Sequence, residues 1–334
     1  MERVIARILD EPGNKEDPVR KFAIYNALRT LQDAKVVDPG VGALVAALRS
    51  GDATEASTAV PQTTPNFYIK RPVEALVLPS ADRLVISARA ELKTAFGRDF
   101  EIPQPPADLF ETIEGFAERG ITGFDETYYF PRLQLTEGDQ LWKGRDRVKP
   151  EDYFWQQINN GSFSSDVARL EEGWYIGDRR GKPMYDNGQQ RYGEDDYMEP
   201  LMAYLRDSNR IQKDDYVPDN SQYDYVPDNS RFGASPREIE EVILPEFAVM
   251  SGARGVVRNR KYIEFNVRGN MAHPQWGQTD IWEWFGDPVF RGTERLVGGS
   301  SHDGGLANVR CYPVDYRGGG GSFSPEVFFP SNPG

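Results

Sequence analysis

Apolar residues that recur every three or four positions predict short amphipathic helices along this chain. One helix is predicted between Ser80 or Asp82, either of which can cap the free amides of the first turn, and Gly97, which ends the helix. A second helix is predicted between Pro105 and Gly120. Their apolar positions are Leu84, Val85, Ala88, Leu92 and Phe96 in the first, and Leu109, Phe110, Ile113 and Phe116 in the second.

The clearest helix start is the run Ser235-Pro236-Arg237-Glu238. It offers a serine cap, a proline at the first turn and a glutamate that completes a capping box. Pro245 predicts a kink in this helix and Gly252 predicts its end. Weaker helical patterns lie at 17–31, 41–48 and 199–209.

Strand patterns are shorter. Residues 127–135 read as a strand, but Pro131 lacks a backbone donor, which places this segment at a sheet edge or a bulge. Residues 255–267 hold two apolar runs around a polar turn, a pattern that predicts a β-hairpin. Further strand-like runs lie at 66–71 and 308–314.

These elements together predict an α+β fold: short helices packed on small antiparallel sheets, with long irregular aromatic-rich segments and extended arms. A chain of 334 residues exceeds the roughly 250–300 residues at which single cores stop growing, so two lobes are expected. The predicted parts are an N-terminal helical segment at 1–51, a linker at 52–65, an α+β lobe at 66–140, an irregular acidic aromatic segment at 141–234, a C-terminal α+β lobe at 235–317 and a Gly-rich tail at 318–334.

The irregular segment contains the one exact internal repeat, seven residues at 215–221 that recur at 224–230. The proline and the Asp-Asn pair of each copy favour extended turns over helix. The aspartates of the two copies could offer oxygen ligands to Ca²⁺ or Mg²⁺, but their spacing does not match an EF-hand loop. An exposed loop that duplicated is the favoured interpretation, and no metal site is predicted.

The composition of the chain limits the partners and the cellular location that are expected. The net charge is −13, and residues 101–200 alone carry 21 acidic and 11 basic side chains. Such a field repels phosphate backbones and anionic lipid, so no nucleic-acid partner is expected. No apolar run approaches the roughly 18 residues that span a bilayer, so membrane insertion is not expected. The single Cys311 permits no internal disulfide and the first residues lack a signal-peptide core, so the expected location is an intracellular, reducing compartment without secretion.

No motif identifies a catalytic centre or a cofactor. Residues 300–303 include serine, histidine and aspartate, but neighbours in a glycine-rich loop do not converge as a hydrolytic triad does. Two histidines and one cysteine leave few ligands for a transition metal. Walker and dinucleotide-binding loops are absent from the sequence. The sequence therefore predicts no catalytic, cofactor-binding or metal-binding residue.

Paired carboxylates leave an enzyme open as the alternative function. Glu171 with Glu172, or Glu283 with Asp287, could act as acid and base on a carbohydrate-like or other small substrate, with neighbouring tryptophans stacking on sugar rings. Such chemistry needs the two carboxyls roughly 5–9 Å apart across the scissile bond. A Glu283 and Asp287 pair on a helix would more often face solvent.

Aromatic residues make up 12% of the chain and favour a structural or scaffolding role instead, because tyrosine and tryptophan suit contacts between subunits. The basic cluster at 254–261 lacks the glycine-aromatic signature of an RNA-recognition strand and fits an acidic patch of a partner better. The candidate interaction residues are Tyr216 and Tyr225 of the repeat, Arg258, Arg260 and Lys261 of the basic cluster, and Trp276, Trp282 and Trp284.

In composition the chain is similar to the linker proteins of phycobilisome antennae and to shell or capsid proteins with long arms. The similarity covers no motif, and it departs from antenna linkers, which are typically basic. It implies a structural or linker component of a large assembly. The expected partners are other protein subunits or copies of the same chain, and no cofactor is implied.

Overall fold

The chain folds as an α+β protein in the parts that a computed structural model describes, which are residues 78–180, 184–186, 189–191, 197–213 and 226–331. Several sequence predictions lie outside these residues: the helices at 17–31 and 41–48, the linker at 52–65, the strand at 66–71, and the tyrosines Tyr216 and Tyr225. None of the described helices combines the length and the apolar character needed to cross a bilayer.

The described helices are short. They are α1 (Ala81–Phe96), α2 (Ala107–Glu118), α3 (Asp152–Asn159), α4 (Met198–Asp207), α5 (Pro236–Glu238, continued by a π-helical turn at Ile239–Ile243 and by Leu244–Ser251) and α6 (Tyr262–Met271). Short 3₁₀ turns lie at Gln140–Lys143, Ser165–Ala168, Pro274–Gln278, Phe290–Gly292, Ser301–Asp303 and Gly305–Ala307.

The described strands form two main sheets. The strands are β1 (Glu126–Phe130), β2 (Leu133–Gln134), β3 (Arg169–Leu170), β4 (Gly173–Gly177), β5 (Met184–Asp186), β6 (Gln189–Arg191), β7 (Val256–Asn259), β8 (Trp282–Val289), β9 (Glu294–Gly298), β10 (Val309–Pro313), β11 (Gly321–Phe323) and β12 (Pro325–Pro330). The first sheet has the order β1-β4-β12-β7 and is antiparallel. The second has the order β10-β9-β8-β11, in which β11 runs parallel to β8. Two further antiparallel ladders join β2 to β3 and β5 to β6.

The helix ends follow the local chemistry that the sequence predicts. Ser80 accepts the N–H of Arg83 at the start of α1, and Gly97 ends that helix with a left-handed φ of 70°. Ser235 and Glu238 form the predicted reciprocal capping box at the start of α5. The π-helical turn of α5 lies directly before Pro245, where the helix loses an amide donor. The predicted helix ends and the predicted capping box are confirmed.

The prediction of a β-hairpin at 255–267 is wrong for the second strand of that hairpin. Only Val256–Asn259 is a strand, and the chain then turns into α6 at Tyr262. Lys261 precedes this helix, and Glu264 accepts its backbone N–H at 2.8 Å. Nearly all of α6 is buried, so no polar face imposes the 3.6-residue period that reveals a helix in the sequence.

The acidic aromatic stretch is more regular than the sequence indicates, because it contains α3 and the central strand β4. All five residues of β4 are buried between β1 and β12. Gly173 begins this strand because a Cβ there would overlap the carbonyl oxygen of Phe329. Two aromatic side chains of β4, Trp174 and Tyr175, are then buried in the core.

Strand β12 lies in the middle of the first sheet, although its sequence carries little strand signal. Val327 pairs with Ile176 on one side and with Val257 on the other. Pro325 and the acidic Glu326 interrupt the apolar alternation of this strand. One apolar cluster extends from Leu84 to Phe329 and includes side chains from both sheets.

Candidate functional site

The basic residues Arg258 and Arg260 point into the molecule. The Arg260 side chain is 9% exposed and donates from Nη2 to Glu283 Oε2 at 2.8 Å and from Nε to Glu283 Oε1. Its guanidinium also lies 4.0 Å from the ring centroid of Trp276. Burial is the largest single influence on the pKa of Arg260 and lowers it. The charge and hydrogen bonds of Glu283, together with the smaller contributions of Tyr128 and Glu326, outweigh burial and raise the pKa above its ordinary value. Arg260 is therefore a charged residue of the core.

Arg258 lies between two glutamates. Its Nη2 is 2.6 Å from Glu264 Oε1 and 2.8 Å from Glu326 Oε1. The aromatic rings of Tyr175 and Phe328 flank the guanidinium, with centroids at 5.4 and 5.0 Å. Such a site exploits the planar shape of arginine, which can bond at its edge and stack on its faces.

Glu326 faces Arg258 from β12 and is almost fully buried. Tyr128 donates a hydrogen bond from its hydroxyl to Glu326 Oε2 at 2.8 Å. Burial is the largest influence on this carboxyl and raises its pKa to about 8. The positive charge of Arg258 opposes that rise, and the negative charge of Glu264 adds to it.

A third ion pair joins β1 to α6. Arg268 donates from Nε to Glu126 Oε1 at 3.0 Å, and His273 Nε2 lies 2.7 and 2.9 Å from the two oxygens of the same carboxyl. The His273 ring stacks on Trp276 with centroids 4.4 Å apart. Burial tends to raise the pKa of Glu126, but its bonds to His273 and Arg268 outweigh burial and lower it.

We refer to these groups together as the ionic cluster. Its members are Arg258, Arg260, Arg268, Glu126, Glu264, Glu283 and Glu326. Among the described residues, histidine, cysteine, aspartate and glutamate side chains form no cluster of three or more that could hold a metal ion. The cluster is therefore an arrangement of ion pairs.

A small cavity borders the ionic cluster. Its volume is about 10 Å³, which is room for one water molecule and much less than a sugar ring requires. Ser324 contributes a buried hydroxyl for which no hydrogen-bond partner is described. The lining residues are Glu126, Tyr128, Gly177, Asp178, Arg180, Arg260, Trp276, Ser324, Pro325 and Glu326.

Glu283 and Asp287 lie on strand β8 and are buried, so the expectation of a solvated helical pair is wrong. Glu283 binds Arg260, and Asp287 Oδ2 accepts the backbone N–H of Tyr262 at 2.6 Å. Burial raises the pKa of Asp287 to about 7. Residues four apart on an extended strand are separated by roughly 13 Å, more than acid and base across one glycosidic bond allow.

The other predicted acidic pair also has partners within the chain. Glu171 binds Lys261 at 2.5 Å, and Glu172 accepts a hydrogen bond from the hydroxyl of Tyr129 at 3.2 Å. Residues 300–303 do not assemble as a triad either, since His302 is exposed in a surface turn while Ser300 is buried. Neither group forms a catalytic arrangement.

The candidate tryptophans lie in different environments. Trp276 and Trp284 are buried, and Trp282 is half-buried at the start of β8. The described contacts of Trp276 and Trp284, like those of Arg258, Arg260 and Lys261, are internal. No observation tests whether any of them contacts a partner, so that role stays a prediction.

An exposed aromatic pair lies above Trp284. Tyr312 on β10 is 38% exposed and Tyr316 in the following turn is 46% exposed. Their rings stack with centroids 4.8 Å apart and an interplanar angle of 17°. The Trp284 ring meets both edge-on at 6.3 Å. We call Tyr312 and Tyr316 the tyrosine pair.

The sequence analysis did not identify the tyrosine pair. The available signal is the segment Tyr312-Pro-Val-Asp-Tyr316, in which a proline between two tyrosines favours a turn that brings them together. The Tyr316 N–H donates to the Pro313 carbonyl at 2.9 Å and closes that turn.

Comparison of the chain with protein-family models, with curated proteins and with solved structures found no match. Function therefore has to be argued from the site geometry alone. Two features stand out, the buried ionic cluster and the exposed tyrosine pair.

Proposed function

We propose that this chain is a protein-binding component of a larger assembly, and that the tyrosine pair binds a basic, arginine-bearing segment of a partner protein. The observation that supports the proposal is the stacked, half-exposed geometry of Tyr312 and Tyr316 above a buried tryptophan. Tyrosine is enriched at protein interfaces because it combines a large apolar body with a polar tip.

The tyrosine pair is ordered before any partner arrives. Each ring contacts the other and the Trp284 ring below, and Tyr316 is fixed by the turn that its amide closes. A side chain held in this way loses little conformational freedom when a ligand binds. Rigid aromatic residues of this kind are the usual energetic centres of protein interfaces.

Arginine fits this surface because a guanidinium stacks on aromatic faces. The chain uses the same contact internally, with Arg180 at 4.6 Å from the centroid of Tyr197 and Arg268 at 4.8 Å from that of Tyr128. Beside the tyrosine pair, the exposed Asp315 carboxylate pairs with Arg237 at 2.6 Å and keeps most of its surface in solvent. An incoming arginine could share that carboxylate.

The charge of the whole chain supports a basic partner. A net charge of −13 attracts cationic surfaces and speeds their encounter with the molecule. The predicted acid and base pairs, by contrast, are occupied by partners within the chain. A binding role therefore has more support than the catalytic alternative.

Titration of the purified chain with a synthetic peptide of alternating arginine and glycine, beside a matched lysine peptide, tests the proposal. The arginine peptide should bind more tightly, and the variant Y312S/Y316S should bind it roughly ten-fold more weakly, because it removes two exposed cation–π contacts that contribute about 0.5–1 kcal/mol each. Calorimetry at low salt measures both affinities.

The control variant is Val249→Ser, which changes an exposed apolar side chain on α5 outside the tyrosine pair and should leave affinity unchanged. Equal binding by the wild type and by Y312S/Y316S would overturn the proposal. Light scattering on the same samples detects another outcome, in which the chain self-associates through the tyrosine pair. That result would make the occupant a second copy and would contradict the assignment of an arginine-bearing partner.

A further inference from the structure

The ionic cluster contains one more carboxyl group than guanidinium groups. Arg260 pairs with Glu283, Arg268 with Glu126, and Arg258 with Glu264. Arg268 also binds Glu91, but the Glu91 side chain is 40% exposed, so solvent stabilises that additional charge. These three pairs balance in charge. Glu326 is the surplus acid, because it shares the guanidinium of Arg258 with Glu264.

A surplus negative charge at this position would be costly. Glu264 and Glu326 are only 1% and 2% exposed, so water cannot stabilise a second charge there. His273 contacts Glu126 and not Glu326. A proton on Glu326 removes the imbalance without moving any side chain.

The position of Glu326 makes this proton structurally important. It lies on β12, opposite Arg258 of β7 in the strand register. Tyr128 of β1 donates to it. The Tyr175 hydroxyl of β4 donates to the Glu171 carbonyl at 2.8 Å and lies 3.3 Å from the competing Glu264 carboxylate. The other three strands of the first sheet therefore each contribute a side chain to the surroundings of this one carboxyl.

We propose that Glu326 is a proton-dependent switch that keeps β12 in the first sheet when protonated and loosens it from β4 and β7 when the proton leaves at alkaline pH. The inference stands on the charge balance and the strand register, and it does not depend on the proposed binding function. The resulting state would be a chain in which β12 opens locally.

The direction of the pH dependence follows from the surroundings of Glu326. Its folded-state pKa of about 8 lies above the ordinary value of 4.5, so the folded chain holds a proton that the unfolded chain releases. Stability from this group is complete below about pH 4.5 and declines as the pH rises to about 8.

The charged and titratable groups that surround Glu326 are Tyr128 of β1, Tyr175 of β4, Arg258 of β7, Arg260 after β7, Glu264 of α6, and Glu126, Asp178 and Arg180 around the cavity.

Of these surrounding groups, Asp178 and Arg180 neutralise each other through an ion pair of 2.7 Å. Glu126 is engaged by Arg268 and His273. Burial raises the pKa of both Tyr128 and Tyr175 well above the usual value, so neither hydroxyl loses its proton in the range where Glu326 does. Among these described groups, burial raises the pKa of Glu326 into the range between pH 6 and 9.

Hydrogen exchange of the β12 amides in the full chain at pH 6 and pH 9, corrected for intrinsic rates, tests the switch. Wild-type protection should fall by roughly a hundred-fold, since stability from a carboxyl with a raised folded-state pKa falls about ten-fold for each pH unit between pH 6 and a pKa of about 8. Glu326→Gln is a close isostere of the protonated acid and should show no such fall. A pH-dependent loss of protection in Glu326→Gln that equals the wild-type loss would overturn the proposal.

Two further variants keep the test decisive. Asp287→Asn removes another buried carboxyl with a raised pKa, on the second sheet, and should leave the pH dependence of the β12 amides as in the wild type. Tyr128→Phe deletes the hydrogen bond that lowers the pKa of Glu326, so the loss of protection should shift to higher pH. If Glu326→Gln does not fold, an unchanged midpoint in Tyr128→Phe overturns the proposal by itself.

Discussion

At the residue scale, the three arginines of the ionic cluster act as core residues because each has both a carboxylate partner and an aromatic neighbour. Arg260 binds Glu283 and stacks near Trp276, and Arg268 binds Glu126 and lies against the Tyr128 ring. Lysine could supply the charge of these residues but not the flat guanidinium that stacks and bonds in a fork.

The Arg260 and Glu283 pair predicts a strongly non-additive pair of substitutions. Arg260→Met leaves Glu283 as an uncompensated buried charge and should lower the free energy of unfolding by about 3–5 kcal/mol. Arg260→Met combined with Glu283→Gln removes both charges and should recover much of that loss. Urea denaturation of the two single variants and the double variant measures the coupling.

The exposed pair of Arg254 and Glu111 is the matched control for that cycle, since both side chains are about half exposed. Its coupling should be below about 1 kcal/mol, as is usual for surface ion pairs. Equal coupling at the buried and exposed pairs would contradict the account of the ionic cluster.

The sequence could identify Arg258 and Arg260 as unusual but could not locate their partners. Glu283 and Glu326 come from β8 and β12, which are distant along the chain, and no local pattern connects them to β7. A basic hairpin that docks on an acidic patch of a partner is the interpretation that the charge asymmetry of the sequence favours. The tyrosine pair was overlooked for a different reason, since its exposure depends on where the edge strand β10 lies.

At the element scale, the sequence predicts best those features that depend on neighbouring residues, such as the ends of helices. The ends of α1 and α5 are set by Ser80, Gly97, Ser235 and Glu238, all within a few residues of the ends that they cap. Helix α6 is decided by its surroundings instead, because burial on all sides removes the amphipathic pattern. Tertiary context overrides the strand-like sequence of 262–267.

The capping box of α5 predicts a local loss of stability. Ser235→Ala removes the side-chain oxygen that accepts the Glu238 N–H, and it should lower the free energy of unfolding by about 1 kcal/mol. Chemical denaturation followed by circular dichroism measures the change. Ser87→Ala, on the exposed face of α1, is the control and should change stability by less than about 0.5 kcal/mol. A similar loss in both variants would argue against a special role for the cap.

At the scale of the whole molecule, one apolar cluster joins elements that are far apart in the sequence. Leu92 and Phe116 from the region before β1 belong to the same cluster as Phe285 and Val327. A shared core of this kind favours cooperative unfolding of the described parts. The sequence could not reveal it, because hydrophobic periodicity reports which face of an element is buried and not against which element it packs.

Removal of residues 325–334 tests this view of the molecule. The deletion takes away β12, leaves β4 and β7 without their common neighbour, and removes the acidic partner of Tyr128. The truncated chain should lose its cooperative thermal transition and its near-ultraviolet circular dichroism. Deletion of 332–334, which keeps every residue of β12, is the control. A truncated chain with the wild-type transition would contradict the central position of this strand.

The placement of β12 also affects how the chain folds during its synthesis. Strand β1 begins at Glu126 and β12 begins at Pro325, so the ribosome makes about 200 further residues before the first sheet can close. Strand β4 begins at Gly173, so at roughly 5–20 residues per second it waits about 8–30 seconds with one edge unpaired. During that interval the nascent chain exposes the strand edge and aromatic surface that molecular chaperones bind, so its yield in the cell should depend on them.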